Sequence, residues 1–285
     1  MKQYISLMKL RVVELLLVTT VPAIFLATNG IPDLSLTFWS LLGGTLAAGG
    51  ANAFNMVIES DTDKLMKRTA NRPISTGQIS KRNALLFSSI ISLLSLAIFY
   101  VFTTELATVL TALAIIFYVF GYTIALKRHT SQNIVWGGIA GCMPVLIGQA
   151  AVTNSLTATS WLFFLLIFFW TPPHFWALAI KYKDEYTAAG IPMLPSVATR
   201  GRVQKEMWFH TIAMMLSSVW LVFAAGLPLW VMLTTIGLGL VFAHELTALK
   251  EDSPDYNKVA GKIFHWSITY LSLLSGLLVV AQLLN

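Results

Sequence analysis

Residues 81–128 run Lys81-Arg82-Asn83, ALLFSSIISLLSLAIFYVF (84–102), Thr103-Thr104-Glu105, LATVLTALAIIFYVFGYTIAL (106–126), Lys127-Arg128. Each apolar run is near the roughly 20 residues that carry a helix across a ~30 Å hydrocarbon core. The connection between them leaves room only for a sharp reversal. Basic residues stand at both outer ends and none at the turn. Strands or loops facing lipid would leave backbone groups unpaired, so both runs are expected to be helices. The stretch reads as a membrane hairpin, with spans at 84–103 and 105–125.

The same pattern extends along the chain. Apolar runs at 12–28, 36–58, 133–152, 159–180, 208–226, 227–247 and 263–284 bring the expected number of spans to nine. The junction near Gly226-Leu227-Pro228 is the least marked. Composition agrees: of 285 residues, 56% are apolar and 11% charged, and the mean hydropathy is +0.72. Soluble chains carry roughly 25% charged residues, so a soluble domain is excluded, as are disorder, collagen and coiled coil. Cys142, alone of its type, cannot form an internal disulfide. The fold class is all-α, a polytopic membrane protein forming one domain over 1–285.

The net charge of +6 gains meaning once it is mapped. All 19 Lys and Arg residues fall in the N-terminal segment or in alternate loops. Lys2, Lys9 and Arg11 precede or open the first span. Lys64, Lys67, Arg68, Arg72, Lys81 and Arg82 lie between spans two and three, and Lys127 and Arg128 between four and five. Lys181, Lys183, Arg200, Arg202 and Lys205 lie between six and seven, and Lys250, Lys258 and Lys262 between eight and nine. The opposite connections hold none. The positive-inside rule then places the N-terminus in the cytoplasm and the C-terminus outside. The first run is too long for a signal-peptide core and lacks a small-residue cleavage site, so it is kept as a helix.

Two cytoplasmic loops, 59–83 and 181–207, are long and charged and are expected to cap the active site. Each opens on acidic residues and then carries a proline-containing stretch, Asn71-Arg72-Pro73-Ile74 or Gly190-Ile191-Pro192-Met193. Four helices separate them, which suggests two parallel four-helix halves facing each other with a ninth helix added.

The second span closes on Asn52-Ala53-Phe54-Asn55-Met56-Val57-Ile58-Glu59-Ser60-Asp61-Thr62-Asp63. Asn55, Glu59 and Asp63, at i, i+4 and i+8, share a helix face. Oxygen-bearing groups stacked this way suit a hard cation such as Mg²⁺, which takes a few carboxylates and completes its shell with substrate phosphate oxygens. Lys64, Lys67, Arg68 and Arg72 follow at once and suit the phosphate. The other reading is ordinary solvated charge at a helix end. Against it, Asn55 lies a turn inside the apolar run, where polar groups are costly.

The sixth run contains Trp170-Thr171-Pro172-Pro173-His174-Phe175-Trp176 and ends in Lys181-Tyr182-Lys183-Asp184-Glu185-Tyr186. Two prolines are expected to break the helix, as is tolerated where backbone lines a cavity. Asp184 and Glu185 form a second acidic pair. Neighbours do not share a helix face, so only one fits as a direct ligand. His174 reads either as a hydrogen-bonded interface residue or as a group with a direct role in binding or proton transfer. The aromatics read as packing and interface anchors, or as ring faces able to stabilise a carbocation. Lys127 and Arg128 read either as phosphate ligands or as topology-setting charges. Gly137, Gly138, Gly141 and Gly148 allow close packing, and Cys142 reads as a small buried residue.

These residues together suit an isoprenyl diphosphate, its head at the acidic, basic mouth and its tail among the helices. At this point the chain resembles the UbiA-type intramembrane prenyltransferases, and within them the haem-farnesylating branch. The resemblance is carried by Asn55-x-x-x-Glu59-x-x-x-Asp63 with Arg68-Thr69 and Asn71-Arg72-Pro73, and by Leu126-Lys127-Arg128 with Asn133-Ile134-Val135 and Gly137-Gly138. It is carried also by Trp170 to Ala179 with Tyr186, Gly190 and Pro192-Met193-Leu194-Pro195. Leu10, Val145 and Gln149 depart from the family pattern.

The resemblance implies a UbiA-type bundle and transfer of farnesyl from farnesyl diphosphate to a vinyl group of haem B, with addition of water, giving haem O. It implies Asn55, Glu59, Asp63, Asp184 and Glu185 as Mg²⁺ ligands, with haem as substrate rather than cofactor. Arg68, Arg72, Lys127, Arg128, Lys181 and Tyr186 would hold the diphosphate, and His174 would contact haem. Expected partners are the lipid bilayer of a bacterial-type inner membrane and a downstream haem A synthase or haem–copper oxidase assembly, with no nucleic acid. Two other readings stay open: prenylation of another aromatic acceptor, and a non-catalytic haem carrier or assembly factor. The clustering of charge at one face disfavours a transporter, which needs ionisable groups near the midplane.

Overall fold

The computed structural model describes residues 2–284. Among these, nine helices are long and apolar enough to cross a membrane. They are α1 (Leu10–Thr28), α2 (Leu34–Ile58), α3 (Lys81–Phe102), α4 (Glu105–Leu126), α5 (Asn133–Thr153), α6 (Ala158–Lys181), α7 (Arg200–Ala224), α8 (Leu229–Thr247) and α9 (Tyr256–Leu284). Five of the nine starts are set by side-chain caps. Side-chain oxygens of Asp33, Ser80, Thr104, Thr157 and Thr199 accept from backbone N–H groups of the first turns of α2, α3, α4, α6 and α7. Asn29 and Asn154 end α1 and α5 in the left-handed region (φ 56° and 50°).

Helices neighbouring in sequence pack side by side around the bundle, and α9 closes it by packing on α1. The most extensive contacts across the ring are α1 against α5 and α9 against α6; α2 also meets α4 and α5, and α1 meets α6. The ninth helix is thus a closing element in contact with α1, α6 and α8, where the sequence suggested an addition to two equal halves. Small residues permit the close approaches. A Cβ on Gly148 of α5 would lie 3.2 Å from the Thr20 carbonyl of α1, and Ser95 of α3 donates to the Gly43 carbonyl of α2 at 2.7 Å.

Three expectations change. First, α7 starts at Arg200 and α9 at Tyr256, so Arg200, Arg202, Lys205, Lys258 and Lys262 ride on helices. Charged residues at a helix end escaped a reading based on apolar runs alone. Second, α6 continues through Pro172 and Pro173 without a break. Two missing N–H donors cost two ladder bonds, and unwinding in an apolar bundle would expose many more groups. Third, the last ten residues of α4, Phe117–Leu126, wind as a π-helix, a rare form that recurs at functional sites.

The N-terminal segment and the loops after α2, α4, α6 and α8 gather at one end of the bundle. Short helices at Lys2–Leu7, Ser60–Asp63, Lys183–Ala188 and Leu194–Val197 lie there. This end carries the site.

Candidate active site at the charged end of the bundle

Helix α2 ends at Ile58, and a further turn spans Ser60–Asp63. The Glu59 N–H bonds the Asn55 carbonyl (2.9 Å) and the Asp63 N–H bonds the Glu59 carbonyl (2.8 Å). The i, i+4, i+8 stacking therefore survives the helix end. Asn55, Glu59 and Asp63 are all buried, at 2%, 4% and 1% exposure. Carboxylates this deep need partners, and each finds a cation. Lys127 pairs with Glu59, and Arg72 donates to Asp63 Oδ2 at 2.6 Å. Lys9 Nζ donates to Asn55 Oδ1 at 2.8 Å. Arg128 donates to the Thr62 hydroxyl.

Burial pushes the Glu59 carboxyl up, but the charge and hydrogen bond of Lys127, the charge of Lys9 and Asn55 more than offset it, holding it below the ordinary value. Lys9 is brought down to about 7, first by burial and then by the neighbouring Arg72.

The π-wound end of α4 forms the opposite wall. Its i→i+5 pattern puts Tyr118 over Thr123 and Tyr122 over Lys127, pairs that α winding would place apart. The Thr123 hydroxyl donates to the Tyr118 carbonyl (2.9 Å) and accepts from Asn55 Nδ2 (3.2 Å). Tyr118 donates to Asn52 Oδ1 (3.2 Å), and Asn52 Nδ2 reaches the Met8 carbonyl (3.1 Å). Gly137 on α5 makes room for this wall, since a Cβ there would collide with the Tyr122 ring. Lys9, Asn52, Thr62, Tyr118, Tyr122 and Thr123 had no sequence signal beyond residue type. Their roles depend on a rare winding and on the N-terminal segment folding back.

The second acidic pair divides. Glu185 accepts from the Arg68 backbone N–H at 3.3 Å, while Asp184 is exposed. Arg68 donates to the Tyr186 hydroxyl at 3.2 Å and lies over the Tyr182 ring, 5.3 Å from its centroid. Lys181 is exposed and lies 5.6 Å from the same ring centroid. The two charged loops thus meet through Arg68. Among the described residues, no three His, Cys, Asp or Glu side chains converge, so Asp184 and Glu185 are not drawn onto Glu59 and Asp63. Lys64 and Lys67 are exposed, Lys64 lying 3.6 Å from Asp61.

A hard cation can be tested against these groups. The donors are oxygen atoms only, which suits Mg²⁺. Asp63 Oδ1 is buried and has no hydrogen-bond partner, although a buried carboxylate oxygen normally has one. Asn55 and Glu59 lie on the preceding turns. The residues fit.

His174 is elsewhere. It is buried on α6, facing α9, with its ring between Trp170 and Phe264 (centroids at 4.3 and 4.7 Å). Cys142 is buried and donates to the Gly138 carbonyl.

The sequence profile of the UbiA prenyltransferase family matches residues 16–268. The chain belongs to that family. Among its UbiA relatives, a protein named protoheme IX farnesyltransferase from Kineococcus radiotolerans is 43% identical over 97% of this chain and 86% of the relative. One of the same name from Mycolicibacterium smegmatis is 47% identical over 88% and 82%. The fold is shared with a digeranylgeranylglyceryl phosphate synthase structure (TM-score 0.82, 14% identity, 100% of this chain and 99% of that one). It is shared also with a UbiA homolog from Archaeoglobus fulgidus bound to DMAPP and Mg²⁺ (TM-score 0.72, 16% identity, 95% and 100%). The paired charges of this chain therefore sit at one end of a UbiA-type helical bundle, in an intramembrane prenyltransferase.

Proposed function

We propose that this chain transfers farnesyl from farnesyl diphosphate to a vinyl group of haem B, with addition of water, yielding haem O and diphosphate. The observation that carries the chemistry is the buried, unpartnered Asp63 Oδ1 among Asn55, Glu59 and four cationic side chains. The choice of acceptor is supported by relatives of 43% and 47% identity named for that reaction.

Asn55, Glu59 and Asp63 would hold Mg²⁺, and Glu185 of the second pair is tied to the loop after α2 through the Arg68 N–H. Mg²⁺, when bound, supplies Lewis-acid stabilisation to the departing diphosphate. Arg72, Lys127, Arg128 and Lys9 exchange carboxylate, amide and hydroxyl oxygens for phosphate oxygens, so no buried charge loses its partner. Arg68 serves the same anion from the loop after α2. The ring faces of Tyr118, Tyr122, Tyr182 and Tyr186 border this region and stabilise the allylic cation as the C1–O bond breaks. The helices around them exclude bulk water, so the cation meets the haem acceptor first.

The whole chain acts as one domain with the charged end in the cytoplasm, where the diphosphate is soluble. Haem A synthase or oxidase assembly would receive the product. Pigment analysis of cells expressing the chain tests the proposal. Wild type is expected to yield a more hydrophobic haem carrying a hydroxyethylfarnesyl group, and Asp63→Asn none. A prenylated aromatic other than haem, or no product from well-folded wild type, sinks it.

A further inference from the structure

Asn55 differs from Glu59 and Asp63 in one respect. A carboxylate presents an oxygen whichever way it turns, whereas an amide presents oxygen on one side and N–H groups on the other. Its oxygen alone can take a cation, so the amide must be held one way round. Lys9 and Thr123 flank it. Lys9 Nζ lies 2.8 Å from Oδ1, and an ammonium can only donate, so the oxygen faces Lys9. The Thr123 hydroxyl lies 3.2 Å from Nδ2 on the other side.

The Thr123 hydroxyl is itself committed. It lies 2.9 Å from the Tyr118 carbonyl, which cannot donate, so the hydroxyl hydrogen sits between those two oxygens. Threonine has one such hydrogen. Toward Asn55 it offers lone pairs alone, which Nδ2 satisfies and Oδ1 would not. The bond to Tyr118 reaches back five residues and depends on the π winding of Phe117–Leu126. Tyr118 is pinned in turn by its bond to Asn52 (3.2 Å), and Thr123 is buried.

We infer that Thr123 is a positioning residue that holds the Asn55 amide with Oδ1 toward the cation site. The inference rests on the metal–diphosphate reading proposed above. In the resting site Lys9 and Thr123 both fix the amide, from opposite sides. Once Lys9 has moved to phosphate, Thr123 alone keeps Oδ1 in place. A flipped amide would turn N–H groups toward Mg²⁺ and remove one of its oxygen ligands. The rare winding of α4 thereby gains a chemical role. It aims a hydroxyl whose hydrogen is already engaged at the nitrogen side of Asn55.

Metal binding to the full-length protein in detergent tests this, with Mn²⁺ as a spectroscopic stand-in for Mg²⁺ and inorganic diphosphate as the anion. Free Mn²⁺ is measured by electron paramagnetic resonance. Thr123→Val keeps the side-chain shape and loses the hydroxyl. It is expected to raise the Kd for Mn²⁺ by about tenfold or more, with helix content by circular dichroism unchanged. Thr123→Ser is expected to restore the affinity, and Thr123→Ala repeats the test if the valine variant does not fold. The deciding comparison uses an Asn55→Asp background. Aspartate presents an oxygen either way round, so the loss caused by Thr123→Val is expected to disappear there. A loss as large in both backgrounds overturns the positioning role, as does an affinity that Thr123→Val leaves unchanged beside Asn55. Wild type that takes up no Mn²⁺ with diphosphate overturns the metal reading and the inference together. The expected Mn²⁺ pattern without farnesylated haem in expressing cells supports the inference and overturns only the choice of acceptor.

Discussion

The α2–α4 wall and the α6–α9 interface each bury polar side chains, and they do so by opposite means. At the α2–α4 wall each buried carboxylate faces a cation, Glu59 with Lys127 and Asp63 with Arg72. At the α6–α9 interface His174 sits among aromatic rings and meets a hydroxyl. A region of paired ions can trade partners when an anion and a metal arrive, because each ion needs a counter-charge but not a particular one. An imidazole stacked between aromatic rings has no counter-charge to trade. The first region is suited to leaving-group departure and the second to holding α6 against α9.

The largest expected effect breaks the charged side. Asp63→Asn removes a ligand and strands Arg72, and kcat/KM for farnesyl diphosphate is expected to fall on the order of 10²–10³-fold, with helix content by circular dichroism unchanged. An effect under tenfold would put the leaving-group site elsewhere. Next, Glu59→Gln and Lys127→Met combined in a double-mutant cycle are expected to show a coupling of about 1–3 kcal/mol in unfolding free energy, because both side chains are largely buried. Additive effects would mean the pair is not formed.

Gly137→Ala sharpens the role of the π-wound wall. Displacing the Tyr122 ring is expected to cost about 1–3 kcal/mol, read as a drop of several degrees in melting temperature in detergent. Tyr118→Phe deletes one hydrogen bond to Asn52 and is expected to cost about 1 kcal/mol, a several-fold rise in KM for farnesyl diphosphate at constant kcat. The smallest change tests the neutral side. Trp170→Phe keeps the stack on His174 but loses the bond to Ser267, at about 0.5–1 kcal/mol of stability, measured by thermal unfolding.

The nine spans could be read because a lipid-facing helix has no alternative: its length and apolarity are dictated by the bilayer. Asn55, Glu59 and Asp63 could be read because one helix face carries its own spacing. Arg72 as the partner of Asp63, nine residues along, was within reach of the same stretch. Lys9 was not, since its charge serves topology equally well and only the return of the N-terminal segment onto α2 brings it to Asn55. The prolines of α6 misled for a related reason. Their local effect is to remove two bonds, and whether the helix then opens depends on what surrounds it.

Sequence by itself determined the membrane class, the number of spans among the described residues, the end at which charge collects and the acid-bearing face of α2. All of these follow from solvent preference and from periodicity along a single helix. Tertiary structure alone decided that α9 closes the ring on α1, that α4 unwinds to π geometry against Asn55, and that Ser267 meets His174 across 93 residues. These depend on which helices touch, and a pairwise contact between distant segments leaves no periodic trace in either one.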